Sequence, residues 1–158
     1  MSRFRQCLIR VEHSSHRREL LIWLVAAAVT AIARNVAADT GFRVVVNPGN
    51  PVDSASSELL TDLFLKRRVE WPDGTSARPV DLYADAATRA EFSKSVLHRS
   101  VAAVKSHWQQ VIFAGRGVPP PELASDAEVM AYVARYPGAV GYVSAGASLS
   151  QVKAIAVR

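Results

Sequence analysis

The chain has 158 residues, 49% of them apolar, and a formal net charge of +5. That composition suits one compact domain rather than two. The charge is uneven: residues 1–38 carry six arginines against Glu12 and Glu19, whereas residues 39–158 carry thirteen Lys and Arg against twelve acids. The basic balance belongs to the N-terminal segment, so it gives no support to nucleic-acid binding, which needs a basic face on the folded domain.

That N-terminal segment reads as a secretory leader. Arg3, Arg5, Arg10, Arg17 and Arg18 form a basic region, and Leu20 to Ala33 is a fourteen-residue apolar run. The run is long enough for a signal-peptide core and short of the roughly 20 residues of a membrane span. Val36-Ala37-Ala38 supplies the small residues of a cleavage site, which places the mature domain at residues 39–158. The competing reading is an uncleaved N-terminal anchor, because the basic region is long and Arg34 follows the core. Arg17-Arg18 also leaves twin-arginine export open beside the general route. Cys7, the chain's single cysteine, precedes the apolar run. The expected exported domain therefore has neither a disulfide nor a thiolate ligand, and its core alone holds it together.

Phe42 to Asn47 (FRVVVN) is β-branched, shows no polar alternation and is bounded by Gly41 and Pro48-Gly49; it predicts a buried central strand. After the Pro48–Pro51 turn, Asp53, Ser54, Ser56 or Ser57 can cap a helix whose stripe is Leu59, Leu60, Leu63 and Phe64. These serines either cap that helix or, with its free N–H groups, form an anion site. Lys66-Arg67-Arg68 follows as a basic corner, and Trp71-Pro72-Asp73-Gly74 predicts a turn. The corner with Trp71 is either a solvated helix end or part of a docking surface.

Arg78 to Tyr83 predicts the second strand, making a first β-α-β pass, with Asp81 on the face opposite Val80 and Leu82. Asp85 can cap a helix from Ala86 to about Leu97, whose stripe of Ala90, Phe92 or Ser93, Val96 and Leu97 is weak. Val101 to Phe113 carries a stronger stripe in Val101, Val104, Trp108, Val111 and Ile112. Gly115 and Gly117 end it, and Pro119-Pro120-Pro121 forces an extended segment. Ser125-Asp126-Ala127-Glu128 is a capping box that opens a helix reaching Tyr136. Ala139 to Val143 predicts a short buried strand and Val152 to Val157 the closing one.

Catalytic patterns are missing. Gly115-Arg116-Gly117 follows a helix instead of opening one and lacks the Lys-Ser/Thr of a phosphate loop. His98 and His107 are nine residues apart, outside any metal-binding spacing, and no serine sits in a Gly-x-Ser-x-Gly elbow. The expectation is a protein that is not an enzyme and uses neither cofactor nor metal.

In order along the chain stand Leu63-Phe64-Leu65-Lys66, then Trp71 with Asp73-Gly74, then Trp108, Phe113, Gly115 and Pro120, then Pro137-Gly138-Ala139-Val140-Gly141-Tyr142-Val143. This series resembles the phosphate-type substrate-binding proteins of ABC transporters, in the type 2 periplasmic binding protein superfamily, over roughly Phe42 to Val143. The resemblance implies an α/β fold: a single lobe of a type 2 periplasmic-binding-protein-like fold, with a mixed sheet of about four strands and helices on its faces. Full-length members have two lobes that close on phosphate, and this chain has room for one. The family's oxyanion stretch, Arg-Ser-Asp-Gly-Ser-Gly-Thr, corresponds here to Tyr83-Ala84-Asp85-Ala86-Ala87-Thr88-Arg89, without the Ser-Gly-Thr unit. The implied oxyanion contacts are Ser54, Ser56, Ser57, Asp85, Thr88 and Arg89. The implied function is solute binding for ABC-type uptake, with phosphate or another small oxyanion as ligand and a transporter permease or periplasmic protein as partner. A half-site also raises pairing into a homodimer. The alternative is a ligand-free periplasmic adaptor that keeps the fold.

Overall fold

The computed structural model describes residues 41–158; the expected leader and its cleavage site lie outside them. Val44, Val45 and Val46 are at most 1% exposed, because β1 (Phe42–Val46) has neighbours on both edges and helices over both faces. It pairs antiparallel with β6 (Ala139–Ser144) and with β7 (Lys153–Val157). Two short strands complete the sheet: β2 (Ser54–Ala55) lies parallel to β7, and β3 (Arg78–Pro79) lies parallel to β6. The order is β2-β7-β1-β6-β3. A separate parallel pair joins β4 (Asp81–Leu82) to β5 (Glu122–Leu123).

Alternation along β6 sorts the helices onto the two faces. Tyr142 points toward α1 (Ser57–Phe64) and α2 (Ala87–Ser95), where its ring stacks on Phe92 at 4.0 Å and lies 6.0 Å from Phe64. Gly141 points the other way, against α4 (Asp126–Arg135): a Cβ there would stand 2.8 Å from Val129 Cγ1 and 2.8 Å from Val80 Cγ1. The glycine is what lets α4 approach the sheet so closely. The remaining helix, α3 (Val101–Phe113), buries Val104 and Trp108. Among the described residues no helix is long and apolar enough to cross a membrane.

Three expectations change. The sheet has five strands, with a two-stranded pair beside it, where about four were expected. The two extra short elements follow from backbone partners far along the chain: Ser54–Ala55 align with Ala156–Val157, and the Pro119–Pro121 run delivers Glu122 to Asp81. The second strand is divided, because Val80 N donates to Val140 O whereas Asp81 N donates to Pro121 O on its other side. The first and second strands do not form an adjacent parallel unit, since β6 lies between them, antiparallel to β1 and parallel to β3.

Candidate functional site

The C-terminal end of β4 and the first turn of α2 bring together the charged residues of the interior. Asp81 is 6% exposed and Arg89 4%. Arg89 Nη2 lies 3.0 Å from Asp81 Oδ2, and Nη1 lies 2.7 Å from Glu122 Oε1 while also donating to the carbonyl of Leu82. Tyr142, from the middle of the sheet, donates its hydroxyl to Asp81 Oδ1, and the Leu82 N–H donates to the same oxygen at 3.1 Å. Burial raises the Asp81 carboxyl above its ordinary value, opposed by the Arg89 guanidinium and by the hydrogen bonds from Tyr142 and Leu82. Burial also raises the Tyr142 phenol, and the neighbouring Asp81 carboxylate adds to that. Nε of Arg89 has no hydrogen-bond partner among the described residues.

Asp81, Glu122 and Tyr142 were not singled out from the sequence. A signal was present on α2. Arg89, Phe92, Ser93, Val96 and Leu97 are all buried, an i, i+3, i+4, i+7, i+8 stripe. A buried arginine at the head of that stripe requires a carboxylate partner.

The six residues named from the sequence fall into two groups. Asp85, Thr88 and Arg89 gather around the start of α2, with Asp85 exposed and Thr88 half-buried. Ser54, Ser56 and Ser57 belong to β2 and the start of α1, at the opposite edge of the sheet, with three strands between β2 and β3. Ser56 Oγ caps α1 by accepting from Leu59 N at 3.1 Å. Ser57 N donates to Arg158 O at 2.9 Å, and its hydroxyl donates to the same oxygen at 3.4 Å. Ser54 pairs with Ala156. The two groups do not meet in one cavity.

The four described helices differ at their N-termini. Ser56, Ser100 and Ser125 each accept a backbone N–H at the start of α1, α3 and α4. The N-cap of α2 is Ala86, and no side chain caps the helix. Its first-turn N–H groups present the positive end of the helix dipole without an internal acceptor.

His107 Nε2 lies 3.4 Å from Leu65 O, and His98 is exposed. Among the described residues no group of three or more His, Cys, Asp or Glu side chains is placed to hold a metal ion.

The fold is that of a single lobe of the type 2 periplasmic binding proteins. It superposes on an ABC-type phosphate transport receptor from Vibrio cholerae with a TM-score of 0.58, at 23% identity, over 74% of this chain and 46% of that one. It also superposes on PstS from Borrelia burgdorferi with a TM-score of 0.57, at 9% identity, over 74% of this chain and 47% of that one. The chain thus spans about half the length of these receptors. No protein-family model matches the sequence, and no curated protein matches it significantly.

Proposed function

We propose that this domain is an exported solute-binding module that binds a small oxyanion, phosphate or a close chemical relative, at the first turn of α2, and hands it to an ABC-type transporter. One observation carries the reading: α2 is the single described helix without a side-chain cap; its first turn, Ala87 to Arg89, ends the stretch that corresponds by resemblance to the family's oxyanion stretch. The N–H groups of Ala87, Thr88 and Arg89 and the Thr88 hydroxyl are the donors. The Arg89 side chain is not a direct contact, because its guanidinium is already shared by Asp81 and Glu122. Those two carboxylates outweigh its single charge when both are ionised. The half-site also covers its ligand from one side only, so affinity is weak unless two chains pair over the anion.

Titration calorimetry with phosphate, and sulfate as the comparison, tests this. One-to-one phosphate binding is expected, weakened by Thr88→Ala. Ala86→Ser gives a sharper outcome. A serine at the N-cap contributes about 0.5–2 kcal/mol to a helix and offers its own oxygen to the amides that the anion would use. The variant is therefore expected to unfold at a higher temperature and to bind phosphate more weakly. No heat and no thermal stabilisation at millimolar phosphate would reject the reading. The adaptor reading would then stand, favoured by the internal commitment of Arg89 and the missing Ser-Gly-Thr unit.

A further inference from the structure

A groove of about 320 Å³ opens beside the outer edge of β3. It shares no residue with the oxyanion site proposed above. Its floor is apolar, formed by the buried rings of Phe64 and Trp108, and Pro119 to Pro121 make one wall. Its charged side chains are Lys66, Arg68 and Arg78, and no aspartate or glutamate lines it. None of these three cations makes a salt bridge among the described residues. Arg78 is held over the ring of Tyr136, its guanidinium carbon 5.5 Å from the centroid, and Lys66 lies along Gly117.

We propose that this groove binds a soluble amphiphilic anion, a carboxylate or phosphate carried on an aryl group or a short acyl chain. An apolar floor beside several like-signed, unneutralised cations is complementary to a ligand with one apolar and one anionic end. The volume is near the lower limit of roughly 300 Å³ for small-molecule sites, so the apolar part is small. Inorganic phosphate uses only the cationic half and leaves the floor wet. A peptide strand does not extend the sheet here, because β3 is two residues long and Pro79 has no N–H to offer.

The test is calorimetric titration of the purified protein with octanoate and with phenyl phosphate, beside uncharged octanol and phenol. Both anions are expected to bind one-to-one, at least tenfold more tightly than the neutral compounds, and inorganic phosphate is not expected to displace them. The double variant Arg68→Glu, Arg78→Glu should weaken binding tenfold or more. Lys94→Glu, an exposed cation outside the groove, should leave it unchanged, which separates a local site from overall charge. Val118→Ser tests the apolar side at a residue that is 67% exposed and lines the groove, and it is expected to weaken octanoate more than phosphate-headed ligands. Circular dichroism confirms folding of each variant. The proposal is overturned if neither anion binds at millimolar concentration. It is equally overturned if the double variant binds as well as the parent. Binding seen only with phosphatidylglycerol vesicles would overturn it in favour of a lipid-surface contact.

Discussion

Arg89→Met is expected to lower the unfolding free energy by about 3–5 kcal/mol near neutral pH, the usual cost of removing one partner from a buried ion pair. The methionine keeps most of the stem's volume, so the loss is electrostatic. It strands Asp81 at 6% exposure without a counter-charge and leaves the Leu82 carbonyl without its donor. Glu122, with its side chain 45% exposed, returns to water at little cost. The deficit should depend on pH. Burial already holds the Asp81 carboxyl above its unfolded value of 3.8, and the guanidinium is the main force pulling it down. Without Arg89 it rises further. A carboxyl with a raised folded pKa contributes stability that is fully present below the unfolded value and is lost as pH rises through the folded one. The variant's deficit should therefore be smallest near pH 4 and grow toward neutrality. Urea unfolding of parent and variant at several pH values measures both. A loss of the same size at every pH would show that Asp81 is not the group left unpaired. Asp81→Asn placed on top of Arg89→Met should recover part of the loss, since an uncharged amide can still accept from Tyr142 and Leu82.

This cluster marks the boundary between what the sequence discloses and what it does not. Elements whose signals are local were legible. Val101–Phe113 carries its own stripe, Ser125 caps α4 by accepting from Glu128 N while the Glu128 carboxylate reaches back one residue further, to Ala124 N, and Pro137-Gly138 stops α4 before β6. The role of Ser56 as a cap was one of two open readings and needs only the next three residues to operate. Asp81 was expected on the face opposite Val80 and Leu82, yet it is buried like both of them, because β5 arrives on its outer edge from forty residues away. Two-residue strands such as β2 and β5 are too short to show a period of two. Arg89 was expected among the oxyanion contacts. Its partners Asp81 and Glu122 come from two different strands, and Tyr142, which bonds Asp81, comes from a third; Glu122 and Tyr142 lie outside any local window around Arg89.

Gly138→Ala is expected to cost about 2–5 kcal/mol, combining the penalty for a left-handed conformation with that for overpacking. Gly138 has φ +74, and a Cβ there would stand 2.1 Å from the carbonyl oxygen of Ser76 and 3.1 Å from Thr75 Cγ2. The first contact is with backbone, which cannot swing aside as a flexible side chain can. Moving it disturbs the turn where Trp71 N donates to Thr75 O, and the Gly138 carbonyl that Trp71 Nε1 holds at 2.9 Å. Trp71 is 1% exposed, so the strain reaches the core directly. Gly74→Ala is the matched comparison: its φ is +84, but nothing lies within 4 Å of the added methyl. It should cost only the conformational part, about 1–2 kcal/mol, and the difference between the two variants isolates the clash with the Ser76 carbonyl. Equal losses would mean that this carbonyl can move freely. The same residues explain the most specific stretch of the resemblance. In Pro137-Gly138-Ala139-Val140-Gly141-Tyr142-Val143, Gly138 makes the turn beneath Trp71, Gly141 admits α4, and Tyr142 bonds Asp81. Each is explained by packing, without a ligand. The motif therefore reports the lobe's fold, and the test of anion binding rests on the uncapped first turn of α2.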